Sequence, residues 1–342
     1  MELDKKEAEI VQKAIQHWEG EQKITSELGN ELRQSITVRN TNVDTIAVYA
    51  VISAISCGLL AFGSLVIDEK WVELLRKKWG FSESIVGFAF TVLAGLFIYL
   101  IKKRKSRTHT AKAGNEAYYI AIMLAVAMAV TYWTRSFASA SSNYSIPLLI
   151  AALAYGAIAI YLHSTMMWAF MIIALAGWWG AQTHYWSNGS YRFLGMNYPL
   201  RMTIFGLIVW ASSALLGRFP RTTFLKEVTY SVGLLLFLLA AWTLSIFGNY
   251  DDLSGWQTLK QSYFWYWAVG FTLVLAGLLY YAFQNTVETL RDYCLVFFLL
   301  NIYTRYFEYF WDRTNKGLFF ALLAISFWFV ARKAEQWRGK HA

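Results

Sequence analysis

Val228-Thr-Tyr-Ser-Val-Gly-Leu-Leu-Leu-Phe-Leu-Leu-Ala-Ala-Trp-Thr-Leu-Ser-Ile-Phe247 runs without a single charged residue. A helix needs roughly 20 mostly apolar residues to cross a hydrocarbon layer of about 30 Å, and this stretch meets that length unaided. Its apolar residues are continuous and do not alternate with polar ones, so a membrane β-barrel is excluded. Stretches of the same character lie on the N-terminal side at Ile46–Ile67, Ile85–Ile101, Ala117–Trp133, Ile146–Leu162, Met166–Trp186 and Leu200–Leu216. On the C-terminal side they are Tyr263–Phe283, Tyr293–Phe310 and Gly317–Ala331. The pattern predicts an all-α membrane protein of about ten transmembrane helices. His163-Ser164 marks the break between the fourth and fifth spans.

Composition agrees. Of 342 residues, 57% are hydrophobic and only 15% charged, against roughly 25% charged in soluble domains. Trp 16, Tyr 21 and Phe 24 suit a chain with two membrane interfaces to line. Three prolines and two cysteines exclude a Pro-rich scaffold and a disulfide-stapled secreted domain. The net charge of +9 comes from basic residues at the ends of spans, where anionic headgroups lie. No basic face with interleaved aromatics is present, so no nucleic acid is expected as a partner; the lipid bilayer is.

Most of the 31 lysines and arginines fall on the side that also holds both termini, with Lys102-Lys103-Arg104-Lys105 the densest cluster. The excess of Lys and Arg in cytoplasmic loops then sets both termini inside. The polar first 45 residues show no cleavable signal peptide, and targeting is expected to go through the first span. The expected location is the cell inner membrane.

Three pieces follow: residues 1–45, a membrane domain over 46–331 and a basic cytoplasmic tail over 332–342. In the first, Val11, Ala14, Ile15 and Trp18 share one helical face, Gly20 ends that helix, and Thr25 or Ser26 starts a second one bearing Leu28, Leu32 and Ile36. This is a short helical hairpin. It either packs on the inner loops as a cap or docks a cytoplasmic protein partner, since such marginal helices need tertiary support. Asp68–Gly80 reads as a helix lying in the interface plane, with Trp71, Leu74, Leu75 and Trp79 on one side.

Trp18, Gly20, Ile24, Leu28 and Leu32 ahead of a first span with small residues (Gly58, Gly63) resemble the opening of a known family. So do Asn301-Ile-Tyr303-Thr-Arg305-Tyr306-Phe307-Glu308 and the later Gly317-Leu318-Phe319-Phe320 with its basic tail. The family is that of uncharacterised bacterial membrane proteins with domain of unknown function 2157. The resemblance implies a bacterial inner-membrane protein and supplies no activity.

Charged groups at the centre of a span cost about 2.5–3.5 kcal/mol each and need a reason. Asn301, Arg305, Glu308 and Asp312 share one face of the ninth span inside a sleeve of Tyr and Phe. Hydrocarbon would leave that stripe unsatisfied, so it faces protein or a water-filled cleft. In one reading Arg305 grips an anionic group while Glu308 or Asp312 handles a proton or cation. In the other, an Arg305–Glu308 pair pins the helix to its neighbours. At the outer ends of other spans lie Arg135, Gln182, His184, Arg192, Asn197, Arg201, Asn249, Asp251 and Asp252. The expected substrate-binding set is Asn301, Arg305, Glu308 and Asp312 with His184 and Gln182.

No metal is expected, because no His-x-x-x-His, Cys-x-x-Cys or Glu-x-x-His spacing occurs. No cofactor is expected either, since Gly-rich phosphate loops and dinucleotide patterns are lacking. Cys57 and Cys294 read as apolar fillers. Gly177 with Gly180, and Gly270 with Gly277, read as seams where helices approach closely. The function expected is binding or transport of a small or lipid-like anionic solute through an outward cleft. The alternatives are a membrane enzyme on a lipid-linked substrate and a non-catalytic scaffold or sensor acting through the N-terminal hairpin.

Overall fold

In the computed structural model, residues 2–3, 5–35, 37–38, 57, 83–107, 112–137, 143–250, 256, 261–310, 315–318, 320–321, 323–325 and 332 are described. The expected first span, the in-plane helix over 68–80, Asp251, Asp252 and Asp312 lie outside them, as do parts of the last span and all of the tail but Arg332. The principal helices are α1 (Lys5–Gly20), α2 (Ser26–Gln34), α3 (Glu83–Arg107), α4 (Lys112–Phe137) and α5 (Ile146–Leu162). They continue as α6 (Thr165–Trp186), α7 (Tyr198–Leu216), α8 (Lys226–Phe247), α9 (Trp265–Gln284) and α10 (Glu288–Phe310). Residues 1–142 and 153–170 form one compact unit, and 143–152 with 171–342 form another.

Within the first unit α1 stops at Gly20, and α2 starts from the Thr25 hydroxyl, which accepts the Leu28 N–H at 3.4 Å. Arg33 Nη2 meets Glu19 Oε2 at 2.5 Å and closes the hairpin. Ile15 is buried, but Trp18, Leu28 and Leu32 are exposed, so the hairpin hides only part of its apolar stripe. A two-residue parallel ladder, β1 (Glu2–Leu3) on β2 (Thr37–Val38), brings the two ends of the hairpin together. The sequence pattern gave no sign of it. α3 and α4 pack antiparallel. Trp133 Nε1 donates to Thr91 Oγ1 at 3.0 Å, Ser84 and Ser136 share a hydroxyl bond at 2.5 Å, and Phe90 stacks on Tyr132. At the other end Lys102 Nζ donates to Tyr161 Oη at 2.5 Å. The break expected at His163-Ser164 is present: His163 takes a left-handed φ of 49°, and Ser164 Oγ accepts the Met167 N–H at 3.3 Å to start α6.

Within the second unit α7 and α8 pack antiparallel at very short range. A Cβ at Gly233 would lie 2.5 Å from Trp210 N, and one at Gly206 would lie 2.7 Å from Phe237 Cα. Each glycine thus admits the backbone of the other helix, a seam made by two residues on different helices. Gly177 and Gly180 meet only the side chains of Leu148 and Tyr198, and no described residue lies within 4 Å of a Cβ at Gly270 or Gly277. The expected Gly270–Gly277 seam is therefore not formed among the described residues. Phe237, Leu238 and Ala241 of α8 pack with Phe271 and Leu275 of α9 and with Cys294 and Phe297 of α10.

Among the described residues, five helical segments are long and apolar enough to cross a membrane: Glu83–Arg104, Glu116–Phe137, Tyr198–Leu216, Thr223–Phe247 and Trp265–Gln284. α5, at 17 residues, is apolar but shorter. α6 and α10 have the length but carry polar residues, Gln182 and His184 in one and Asn301, Arg305 and Glu308 in the other. Large apolar side chains such as Phe88, Val92, Leu153, Ile208 and Leu273 are exposed in mid-helix. A lipid bilayer is the solvent that suits them. Span hydroxyls are satisfied without leaving their helix, as Thr131, Thr203 and Thr229 each donate to the carbonyl four residues back.

Candidate functional site

The polar residues of the second unit gather around the C-terminal turn of α8. The last carbonyls of a helix lack intrahelical donors and carry the negative end of its dipole. Here one of them, and the two carbonyls just beyond the helix, are met from α10 and from the loop that leads into α7. Arg305 Nη2 of α10 donates to Ser245 O at 3.3 Å, Asn197 Nδ2 to Gly248 O at 2.6 Å, and Arg192 Nη2 to Asn249 O at 3.2 Å. Gly248, at φ 58° and ψ −167°, turns the chain where a side chain would strike the Phe264 ring, with its Cε1 at 2.9 Å.

Asn197 does several jobs at once. Its Oδ1 caps α7 by accepting the Leu200 N–H at 3.2 Å, and its own N–H donates to Asn249 Oδ1 at 2.9 Å. Asn249 Nδ2 donates in turn to Gly195 O at 2.9 Å. That carbonyl belongs to a tight hairpin, Phe193 to Met196, in which Leu194 and Gly195 both take positive φ (53° and 75°). The geometry is a type I′ turn, which a leucine rarely adopts.

Arg201, in the first turn of α7, is only 1% exposed. Its guanidinium stacks 4.2 Å from the centroid of the Tyr198 ring, donates from Nη2 to Tyr191 O at 3.1 Å and from Nε to Asn197 O at 3.4 Å. Nη1 has no partner among the described residues. Tyr198 Oη donates to Gly180 O at 3.2 Å, and its ring lies 6.3 Å from that of His184.

His184 lines an open cleft of about 350 Å³ with Asn143, Tyr144, Ser145, Tyr185, Asn188 and Gly189. Gln182 stands behind it. Its Oε1 accepts from Asn143 Nδ2 at 2.9 Å and from the Ser145 hydroxyl, which fixes two residues of the cleft wall. Asn301, Arg305 and Glu308 lie on α10, and Asp312 falls outside the described residues. Arg305 Nη1 meets Glu308 Oε2 at 2.5 Å, both side chains largely covered. Asn301 Nδ2 donates to Thr272 Oγ1 of α9 at 2.8 Å, and Asn301 Oδ1 and Arg305 Nε have no partner among the described residues. Asn301, Arg305 and Glu308 thus face protein, as a polar stripe on a span must.

The five expected residues that are described fall into two groups, Asn301, Arg305 and Glu308 on α10 and Gln182 with His184 on α6. Among the described residues no cluster of three or more His, Cys, Asp or Glu side chains is placed to hold a metal. Arg201 is the residue that sequence reasoning undervalued. The signal was there, a lone arginine one turn into an apolar span, and the dense charges of the ninth span drew attention from it. No family profile, curated protein or solved structure matches the chain.

Proposed function

We propose that this is a ten-span bacterial inner-membrane protein with both termini cytoplasmic, of the domain-of-unknown-function-2157 type, that binds or transports a small or lipid-like anionic solute from the outer side. The observation that supports this reading is the Arg305–Glu308 pair: a covered, charge-bearing clasp in a helix end, with one guanidinium nitrogen uncommitted. An incoming carboxylate or phosphate competes with Glu308 for the guanidinium fork, and Glu308 then takes up a proton or a cation, which links solute to a coupling ion. Asp312 continues the same face by helical spacing.

The test is native mass spectrometry of gently purified wild type and Arg305→Lys, which keeps the charge but loses the planar fork. A discrete adduct held by wild type and lost by a folded Arg305→Lys supports the reading. Bulk lipid alone in both removes it and leaves the pair as a helix pin. A second reading, a membrane enzyme acting on a lipid-linked substrate, is favoured by the open cleft that His184 lines.

A further inference from the structure

We infer that the N-terminal end of α7 holds a phosphate group on the guanidinium of Arg201, at the depth of the lipid headgroups. Four observations converge. Arg201 is completely covered, and a buried charge is stable only when paired. Among the described residues its neighbours are two carbonyls and an aromatic face, none of them anionic, and Nη1 lacks any partner there. The side chain folds back towards the start of its own helix, where it bonds the carbonyls of Tyr191 and Asn197.

The start of α7 carries the positive pole of that helix's dipole, which favours an anion, while the carbonyls at the end of α8 met by Asn197 and Arg192 place partial negative charge alongside. Arg192, on the loop that leads into α7, donates instead to Asn249 O at 3.2 Å. A guanidinium fork beside a helix N-terminus suits a phosphate. The loop that covers the corner is itself accessible: Tyr191 is 57% exposed and Leu194 79%. With Tyr185 and Trp186 exposed nearby in sequence, the corner has the aromatic make-up of a membrane interface.

The assignment does not rest on Arg305. The phosphate belongs either to a phospholipid headgroup or to a free solute, and the two sources separate in the test. Asp251 and Asp252 follow Tyr250, whose carbonyl Asn197 bonds, and lie outside the described residues, so the test includes them.

The experiment uses the full chain, delipidated in detergent, as wild type, Arg201→Gln, Arg201→Lys, Arg305→Lys and the Asp251→Asn/Asp252→Asn double variant. Thermal unfolding is followed while inorganic phosphate replaces chloride at constant ionic strength. Native mass spectrometry then counts phosphatidylglycerol retained after reconstitution and re-extraction. A saturable rise in wild-type unfolding temperature with phosphate, lost in both Arg201 variants and kept in Arg305→Lys, assigns a free phosphate. One phosphatidylglycerol retained by wild type and lost in the Arg201 variants, without a response to inorganic phosphate, assigns a headgroup. Either result supports the site.

Equal responses of wild type and the Arg201 variants overturn it. So does an adduct lost only in Arg305→Lys, which leaves the proposed function standing. If the double Asn variant is destabilised as much as Arg201→Gln and adds nothing to it, the partner is an aspartate and the site falls. Should Arg201→Gln fail to accumulate, Arg201→Lys and wild type's own phosphate dependence decide. A flat wild-type response with no lipid retained overturns the assignment.

Discussion

Arg305 of α10 donates through one nitrogen to both the carbonyl and the hydroxyl of Ser245, at 3.3 Å each, and so completes the end of a helix to which it does not belong. The same guanidinium holds Glu308 at 2.5 Å. Removing one member of a covered pair strands the other, which typically costs about 3–5 kcal/mol. Arg305→Ala should therefore lower the unfolding temperature strongly, whereas the Arg305→Ala/Glu308→Ala double variant should recover a good part of the loss. A double-mutant cycle in detergent measures this. Additive losses would mean that the pair contributes no coupling.

Gly233 and Gly206 each sit against the backbone of the opposing helix. Gly233→Leu should push α7 and α8 apart and destabilise by about 1–3 kcal/mol or more, the usual cost of overpacking. Gly277→Ala, where a Cβ meets no described residue, should be neutral or gain up to about 1 kcal/mol from helix propensity. Thermal unfolding of the two variants side by side checks the contrast. A harmless Gly233→Leu would show that the close approach is not needed.

Asn301 gives a single bond to Thr272, at 2.8 Å. Interhelical hydrogen bonds in membranes average about 0.6 kcal/mol, so Asn301→Leu should cost well under 1 kcal/mol and leave the protein folded. If the variant folds normally yet loses a bound solute, Asn301 acts in recognition; a loss of stability above about 2 kcal/mol is incompatible with so light a structural role.

Ser190 and Phe219 are on exposed loops, and the proposed orientation with both termini cytoplasmic puts Ser190 outside and Phe219 inside. In a background with Cys57 and Cys294 changed to Ser, Ser190→Cys should react with a membrane-impermeant maleimide in spheroplasts. Phe219→Cys should react only after permeabilisation. The reverse pattern overturns the orientation read from the basic loops. In wild type, Cys294 should stay unlabelled until the protein unfolds, because it is fully buried.

The helices were legible because period and length are local properties. The start of α2 at Thr25, the end of α1 at Gly20 and the turn at His163-Ser164 all fall where capping and hydropathy put them. The Arg305–Glu308 pair was legible too, being three residues apart on one helix. The Gly206–Gly233 seam was not, since no spacing rule connects residues on separate helices. Neither was the convergence of Arg192, Asn197 and Asn249 on one helix end, which depends on how two loops fold back. Arg201 was visible as a charge, but that its Nη1 finds no partner among the described residues is a property of its surroundings.

The end of α8 also sets an order of manufacture. Asn197 is synthesised before Gly248, so its amide is waiting when that carbonyl emerges. Arg305 comes 60 residues after Ser245. At roughly 5–20 residues per second, translation leaves that carbonyl without its guanidinium for on the order of 3–12 s. Throughout that interval the helix end is half dressed, and it stays so permanently in any chain that stops short of residue 305.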